Sequence, residues 1–254
     1  MQKQTKALAC ILAAGKGTRM QSNTAKVLHL LHNKTLIEYP IDALQHTNIS
    51  PIVLVVGHQK EAVIAKTKHI KDLYYTTQEK QLGTGHALLQ AKEKLLFLSK
   101  KTGLKQVVVL PGDCPLISSK SLKNLVKQHL SHQAAASLLT ANLNNPASYG
   151  RILRDKKGNL TGIKEAKDCN EDELIIKEIN SGIYCFDIPL LFDAIKSIST
   201  NNAQGEYYLT DVIAMFYKQQ KPLCGIHLEN SNEILGINSK EDLRLVERCL
   251  SPKI

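Results

Sequence analysis

Three runs of consecutive apolar residues stand out in the first half of the chain. They cover Ala7–Ala13, Ile52–Val56 and Val107–Leu110. Strands that are apolar on both faces are typical of a parallel sheet that lies between layers of helices. These runs therefore predict three buried strands of such a sheet.

Between the strands, apolar residues recur at the spacing of helices. The clearest stripe follows Ser118 and Ser119 and consists of Leu122, Leu125, Val126, His129 and Leu130. A second predicted helix runs from Thr84 to about Lys100. Strands and helices that alternate at this length imply right-handed crossovers, and so predict an α/β fold with a Rossmann-like, doubly wound, mostly parallel sheet.

The pattern changes after residue 140. Two β-like segments, Gly150–Leu153 and Asn159–Lys164, flank a turn signal at residues 155–158, and Ile175–Phe186 is again strand-like. This pattern predicts antiparallel or mixed strands, added beside the parallel core as a β-rich portion.

The last predicted element is a helix that begins at Ser239, where Asp242 completes a capping box. Its apolar stripe has to cover the core or meet a partner. We therefore predict one large domain over residues 1–238 and a C-terminal helix over residues 239–254 that packs on the domain or leads to a partner.

Charge and composition narrow the function classes. The formal net charge is +10, but the lysines are spread along the whole chain, which favours a solvated surface over a nucleic-acid interface. The chain has no tryptophan, which argues against a stacking platform for single-stranded nucleic acid. No nucleic-acid partner is expected.

The cysteine spacing and the apolar segments predict a cytoplasmic protein with no membrane partner. None of the six cysteines forms a C-x-x-C pair, so we expect reduced thiols. The apolar run at residues 7–14 follows Lys3 and Lys6 like a signal peptide, but it leads directly into a glycine-rich loop. No stretch approaches the roughly 18 apolar residues that span a bilayer.

That glycine-rich loop is the first candidate site. Gly15 and Gly17 would let backbone N–H groups approach a phosphate, and Lys16 and Arg19 would supply positive charge. Lys26 follows, positioned for a chain that returns toward the carboxyl end of the strand. The loop matches neither the Walker pattern nor G-x-G-x-x-G, in which Met20 occupies the third glycine position.

The string Leu12-Ala13-Ala14-Gly15-Lys16-Gly17-Thr18-Arg19-Met20, with Lys26 beyond it, resembles the signature of the sugar-nucleotide pyrophosphorylases. The closer resemblance is to the uridylyltransferase domain of the N-acetylglucosamine-1-phosphate uridylyltransferases. It implies catalytic roles for Arg19 and Lys26. It also implies a nucleotide-binding role for Leu12, Ala13, Ala14, Gly15, Lys16 and Gly17.

The resemblance continues in the segment 78–87, which is similar to the family's nucleotide-base segment. Gln78 offers a donor and an acceptor for a uracil edge, and Gly83 lets the backbone approach the base. Thr84 is expected to bind nucleotide and to cap the following helix. His86 is interpreted as a structural helix residue.

Asp113 follows an apolar strand in the string 110–116, which resembles the family's metal-binding string. A hard Mg²⁺ ion needs such an oxygen ligand, so Asp113 is predicted as a catalytic residue and a metal ligand. Pro111 stands where the family usually has tyrosine, which removes a hydroxyl contact. The late string 236–238 implies that Asn238 is the second metal ligand.

Three further strings, 149–152, 165–168 and 178–182, resemble the family's sugar-binding strings. Together with Gly112, they imply a sugar-binding role for Gly150, Glu165 and Asn180. The string 202–211 is nearly identical to the family's. We interpret it as a loop around the sugar pocket, followed by a capped helix, with no catalytic role.

The resemblance implies transfer of UMP from UTP to N-acetylglucosamine 1-phosphate with Mg²⁺, for peptidoglycan and lipopolysaccharide precursors. Two alternatives stay open: another sugar-phosphate nucleotidyltransferase or cytidylyltransferase, and a non-catalytic sugar-nucleotide-binding regulator. Gln78 and the string 202–211 argue against the first, and Lys26, Arg19 and Asp113 argue against the second.

Bacterial members of this family commonly carry a second, acetyltransferase domain built of hexapeptide repeats. Nothing in this sequence resembles such repeats. Acetyltransferase activity is therefore not expected. Because the bifunctional enzymes trimerise largely through that domain, we expect a monomer.

Overall fold

The computed structural model describes residues 6–20 and 22–250. The strands are β1 (Ala7–Ala13), β2 (Leu30–Leu31), β3 (Lys34–Thr35), β4 (Ile49–Val56), β5 (Leu73–Thr77), β6 (Gln106–Pro111), β7 (Ala136–Asn142), β8 (Arg151–Arg154), β9 (Leu160–Lys164), β10 (Glu178–Asp187) and β11 (Leu223–His227). The α-helices are α1 (Glu38–Gln45), α2 (Lys60–Thr67), α3 (Thr84–Gln90), α4 (Lys92–Thr102), α5 (Ser119–Ser131), α6 (Glu171–Leu174), α7 (Ile188–Ala194), α8 (Asp211–Lys218) and α9 (Lys240–Leu250).

The central sheet has the strand order β11-β7-β10-β6-β1-β4-β5. Strands β6, β1, β4 and β5 are parallel neighbours, whereas β10 runs antiparallel between β6 and β7. The hairpin β8–β9 joins the sheet at β10. The predicted α/β class is therefore confirmed, with a largely parallel sheet and a β-rich addition in the second half of the chain.

The side chains of β1 alternate between two hydrophobic clusters on opposite faces of the sheet. Leu8 and Cys10 pack with apolar residues of α3, α4, α7 and α8, and Ala9 and Ile11 pack with residues of α1, α2 and α5. All four side chains are fully buried. Burying a residue the size of leucine contributes about 2 kcal/mol, so this strand anchors both layers of helices.

The predicted helix from Thr84 to about Lys100 is divided at Ala91 into α3 and α4. The Ala91 N–H donates to Leu88 O, a tighter turn than the α-helical one, and Leu95 N–H then donates to Ala91 O. The bend lets both Leu88 and Leu95 reach the core. The apolar pattern persists across the bend, and for this reason periodicity alone predicted one helix.

The predicted cap at Thr84 is wrong. The N-cap residue of α3 is Gly83, and no side chain caps this end. Thr84 Oγ1 instead accepts a hydrogen bond of 3.1 Å from the Leu209 N–H. A tertiary contact therefore takes the hydroxyl that a local cap would have used.

The C-terminal helix α9 begins with a capping box. Ser239 Oγ accepts from the Asp242 N–H at 3.1 Å, and Asp242 Oδ2 accepts from the Ser239 N–H at 2.9 Å. Val246 packs with Met20, Leu31 and other residues of a third, smaller cluster. Residues 251–254 of the predicted segment and residues 1–5 of the predicted domain lie outside the described residues.

All six cysteines are free thiols. Among the residues that the structure describes, no helix is both long enough and apolar enough to cross a bilayer.

Candidate active site

A cavity of about 550 Å³ opens at the carboxyl ends of β1 and β6. Because connections leave β1 and its neighbours toward opposite faces, this is the edge at which open α/β sheets bind ligands. The predicted site residues that line the cavity are Leu12, Ala13, Ala14, Gly15, Lys16, Gly17, Lys26, Gln78, Gly83, Thr84, Asp113, Gly150, Glu165, Asn180 and Asn238.

Two predicted site residues lie outside this lining. Gly112 packs inside the fold: a Cβ there would come within 2.9 Å of Ile37 Cδ1 and 3.2 Å of Ala13 Cβ. Because Gly112 has no side chain, the chain at the end of β6 can pack closely against these two residues. Arg19 is exposed beside the cavity, where it donates to Asn238 and to Ser148 Oγ at 3.4 Å.

The glycine loop determines where Lys26 lies. Gly17 has a φ of +67°, and a Cβ on it would stand 2.5 Å from Lys26 Cβ. Only glycine combines this left-handed backbone with such a close approach. The stem of Lys26 can therefore pass directly beneath the loop and bring its ammonium into the cavity.

The ammonium of Lys26 lies among three polar side chains. It forms a short ion pair with Asp113 Oδ2 and donates to Asn238 Oδ1 at 3.1 Å. Arg19 Nη2 donates to the same Asn238 oxygen at 2.9 Å. The Ile237 N–H donates to Asp113 O at 3.0 Å, which ties the two loops together. Two cationic side chains thus contact two side-chain oxygens at one point.

These oxygens fit a magnesium ion. Asp113 Oδ2 and Asn238 Oδ1 converge on the position that the Lys26 ammonium occupies, so they already surround a cation. Within residues 6–20 and 22–250, no group of three or more His, Cys, Asp or Glu side chains could hold a metal. Two protein oxygens completed by substrate phosphates and water are the usual arrangement for Mg²⁺.

Gln78 lies at the other end of the cavity and is buried. Its backbone N–H donates to Val56 O, and its side-chain Nε2 donates to Gly83 O at 3.1 Å. The same Nε2 lies 3.0 Å from Nδ1 of His86. The side chain is therefore fixed by the loop and the helix that follow it.

Residues 206–210, which we call the strap, run across this base segment. The Gly85 N–H donates to Tyr207 O at 2.8 Å, and the Tyr207 N–H donates to Leu82 O at 2.9 Å. A Cβ on Gly83 would come within 2.7 Å of Tyr207 O. The glycines at 83 and 85 thus let the strap lie directly on the loop.

The far end of the strap reaches the predicted sugar wall. Thr210 Oγ1 donates to Glu165 Oε1 at 3.1 Å. Burial raises the pKa of the Glu165 carboxyl, and the Thr210 hydrogen bond opposes that rise. The expected side-chain cap of α8 is absent because this hydroxyl is turned to Glu165.

Asn180 stands beside Glu165 in the lining and is held on both sides. Its Nδ2 donates to Tyr184 Oη at 2.7 Å, and its Oδ1 accepts from the Gly182 N–H at 3.1 Å. The Asn180 N–H donates to Gly150 O at 2.9 Å. A fixed amide and a half-buried carboxylate in one lining suit the recognition of hydroxyl and amide groups.

Sequence reasoning missed several lining residues. Tyr149 Oη accepts from the Gly236 N–H at 3.1 Å, and burial raises the pKa of this phenol. Thr210 and Tyr184 hold the sugar wall, as described above. Tyr149 and Thr210 lie within quoted strings, so the signal was present, but nothing in the residue types alone separated them from turn residues.

The cavity is suited to binding phosphate rather than to covalent catalysis. Lys16, Lys26 and Arg19 concentrate positive charge at one end. Cys114, the thiol in the lining, donates to Pro111 O, and burial raises its pKa, so it is not a thiolate nucleophile.

Comparison with known proteins gives a consistent result. The sequence profile described as Nucleotidyl transferase matches residues 8–231. The Bifunctional protein GlmU of Acetivibrio thermocellus is 46% identical over 247 residues, which cover 97% of this chain and 52% of the relative. That of Streptococcus thermophilus strain CNRZ 1066 is 44% identical over 248 residues, with the same coverage. The chain spans about half the length of these curated relatives.

Solved structures share the fold. A putative glucose-1-phosphate thymidylyltransferase from Bacillus anthracis superposes with a TM-score of 0.77 at 19% identity, over 98% of this chain and 97% of that one. A UDP-glucose pyrophosphorylase, solved with UDP-glucose, superposes with a TM-score of 0.76 at 17% identity, over 96% and 97%. At such identities the similarity establishes the architecture alone.

Proposed function

Since this chain belongs to the nucleotidyl transferase family, we propose that it transfers UMP from UTP to N-acetylglucosamine 1-phosphate, giving UDP-N-acetylglucosamine and pyrophosphate. One observation carries the proposal. A single cavity joins the cationic loop at residues 15–26, the amide of Gln78 and the wall of Glu165 and Asn180. These features match the phosphates, the base and the sugar of one nucleotide sugar. The resemblance of their strings to the N-acetylglucosamine-1-phosphate uridylyltransferases supports this choice of substrates.

The reaction needs no general base. A phosphate oxygen of the sugar phosphate is already anionic at neutral pH. It forms a bond to the α-phosphorus of UTP while the bond from that phosphorus to the bridging oxygen of the β-phosphate breaks. Pyrophosphate leaves with the electron pair. The barrier arises from bringing two anions together in line, so charge neutralisation and positioning have to lower it.

The residues around the glycine loop are placed for this task. Lys26 would neutralise the oxygens of the α-phosphate, since its ammonium lies between the loop and Asp113. Lys16, Arg19 and the backbone N–H groups of the loop would hold the departing pyrophosphate. The Arg19 side chain reaches from the loop to Asn238 and Ser148. Its guanidinium can therefore contact phosphate groups at the entrance of the cavity.

Asp113 and Asn238 would hold Mg²⁺, which when bound supplies further neutralisation of phosphate charge. Both oxygens are pre-positioned, because the Asn238 N–H donates to Asp242 Oδ2 and the Ile237 N–H donates to Asp113 O. The Lys26 ammonium, which forms an ion pair with Asp113, would contact a substrate phosphate in the same part of the cavity. We place the reaction in the cytoplasm, where six free thiols stay reduced.

The test is pyrophosphate release from purified protein with UTP, N-acetylglucosamine 1-phosphate and Mg²⁺. Parallel reactions replace UTP by CTP, GTP, ATP or dTTP, replace the sugar by glucose 1-phosphate or glucosamine 1-phosphate, or add EDTA. The proposal predicts EDTA-sensitive release that is fastest with UTP and the acetylated sugar. Faster release with another pair would refute the substrate assignment, and binding without any release would favour a regulator.

A further inference from the structure

His86 lies on the first turns of α3, next to Gln78. Its Nδ1 is 3.0 Å from Gln78 Nε2, and its Nε2 is 3.2 Å from the amide nitrogen of Gln90. The ring stacks on Tyr207 of the strap, with centroids 6.4 Å apart and planes inclined by 29°. The imidazole is therefore held between the base segment, its own helix and the strap.

Two hydrogen-bond acceptors, Gly83 O and His86 Nδ1, determine the orientation of the Gln78 amide. The carbonyl oxygen of Gly83 can only accept, so the group 3.1 Å from it has to be the Gln78 NH₂. The second hydrogen of that NH₂ points to His86 Nδ1, which must then be unprotonated. A neutral ring with an accepting Nδ1 carries its proton on Nε2. The Gln90 amide beside Nε2 is exposed, and it accepts that proton once its oxygen and nitrogen exchange places.

The consequence is that both donors of Gln78 are used inside the protein. Gln78 lines the cavity, so the group left for a ligand is its Oε1, an acceptor only. The sequence predicted a donor and an acceptor at this position. The structure leaves the acceptor, and His86 together with Gly83 determines that choice.

We propose that His86 is a positioning residue for base selection, acting through Gln78. This inference rests on the proposed function. Uracil carries a hydrogen on ring nitrogen N3 and can donate to Oε1, whereas cytosine presents a bare acceptor at N3. With cytosine, Oε1 of Gln78 and N3 of the base are both acceptors, so neither gains a hydrogen bond. A site of this kind discriminates well between the two bases.

The test compares His86→Phe with His86→Asn. Phenylalanine keeps a ring against Tyr207 but cannot accept from Gln78. Asparagine can place Oδ1 where Nδ1 stood. We expect the ratio of kcat/KM for UTP to kcat/KM for CTP to fall about fivefold in His86→Phe, through KM for UTP, because about one neutral hydrogen bond is lost. His86→Asn should keep most of the wild-type ratio.

A merely structural role would lower turnover with both nucleotides alike and would leave the ratio unchanged in His86→Phe, which refutes the proposal. Equal loss of the ratio in both variants also refutes it. The nitrogen chemical shifts of the His86 ring, measured by NMR, show which ring nitrogen carries the proton. This second test uses the wild-type protein, so it does not depend on whether a variant folds. The proposal requires a bare Nδ1, and a proton on Nδ1 at neutral pH overturns it.

The two proposals fail differently. Wild-type protein that releases no pyrophosphate from UTP refutes the proposed function. In that event, the preference for UTP over CTP is measured as the ratio of the two Kd values. Calorimetry gives this ratio for the wild type, His86→Phe and His86→Asn. Wild-type turnover of UTP with an unchanged ratio in His86→Phe refutes the role of His86 alone.

Discussion

Lys26 is the residue on which the phosphate end of the cavity depends. It reaches Asp113 and Asn238, which come from strands and loops far apart in the chain, and it does so only because residue 17 has no side chain. The buried carboxylate of Asp113 balances its charge. In the proposed reaction, this ammonium neutralises charge on the α-phosphate.

Replacing Lys26 by Met should lower kcat by roughly 10²–10³-fold, since one donor to the reacting phosphate is lost. Lys71→Met is the matched control, because that lysine is exposed and far from the cavity. Initial rates of pyrophosphate release check both, with circular dichroism to confirm folding. A folded Lys26→Met protein with near-normal turnover would contradict the assignment.

Thr210 sets the protonation of Glu165. Burial raises the pKa of that carboxyl and the threonine hydroxyl lowers it, so Thr210→Val should raise it further. The variant then needs a higher pH than the wild type to form the carboxylate. We expect its kcat/KM for the sugar phosphate to fall more on the acid side of the pH profile than on the alkaline side.

The control for this prediction is Thr210→Ser, which keeps the hydroxyl and should keep the wild-type pH profile. Full pH profiles of kcat/KM for all three proteins provide the measurement. Equal losses across the whole pH profile in Thr210→Val would show that the hydroxyl does not act through the ionisation of Glu165.

Among the elements, the contact between α3 and the strap links the base end of the cavity to the sugar end. Leu209 donates to Thr84, and the next residue, Thr210, donates to Glu165. A displacement of the strap would therefore alter both the Gln78 end and the Glu165 end of the cavity. The helix starts with two small residues, Gly83 and Gly85, that let the strap lie close.

Gly85→Ala should destabilise the protein by about 1–3 kcal/mol, because the new Cβ would press on Ile198 Cδ1 and stand 2.9 Å from Tyr207 O. The Ile198 side chain can rotate away, but Tyr207 O is a backbone atom that can move only with the strap. KM for UTP should rise as well. Urea unfolding and initial rates measure the two effects.

Gly162→Ala is the matched control, since a Cβ there meets Ala214 at an ordinary 3.5 Å. Its stability should stay within about 0.5 kcal/mol of wild type. Equal stability of both variants would contradict the close contact between strap and helix.

The contact between α5 and β7 contains a buried histidine. His129 is 2% exposed and its Nδ1 lies 3.0 Å from Ser137 Oγ, and burial lowers its pKa to about 4. The unfolded chain therefore binds a proton at higher pH than the native protein does. Stability is complete above the ordinary pKa of about 6.5 and is lost as pH falls toward 4, by roughly 3 kcal/mol.

Urea unfolding of wild type and His129→Gln between pH 7 and pH 4 checks this. The free energy of unfolding of the wild type should fall by roughly 3 kcal/mol more than that of the variant. Parallel pH curves for the two proteins would show that His129 titrates normally in the native state.

Periodicity predicted most of these elements, and it failed where a tertiary contact replaced a local one. The stripe from Leu122 to Leu130 is helix α5, as expected. At Thr84 the sequence favoured a local cap, but the hydroxyl bonds to a residue 125 positions away. A local sequence pattern does not identify so distant a partner. A hydroxyl that forms a tertiary hydrogen bond instead of a helix cap therefore cannot be predicted from one sequence.

At the scale of the whole molecule, one edge of a parallel sheet gathers residues from position 12 to position 238. The alternation of strands and helices predicted that edge, and the strings predicted which residues reach it. The resemblance implied that Asp113 and Asn238 meet at one metal ion. It could not predict that the Lys26 ammonium lies between them, because this depends on how three separate loops approach each other. Nor could it show that Gly112 packs closely against Ile37 and Ala13.

The central claim is that an oxygen of the sugar phosphate attacks the α-phosphorus of UTP. It is tested most directly with N-acetylglucosamine 1-phosphate that carries ¹⁸O in its three non-ester oxygens, followed by mass spectrometry of both products. The account predicts that UDP-N-acetylglucosamine retains all of the label and that pyrophosphate carries none. Label in pyrophosphate, or its loss from the nucleotide sugar, would contradict this mechanism.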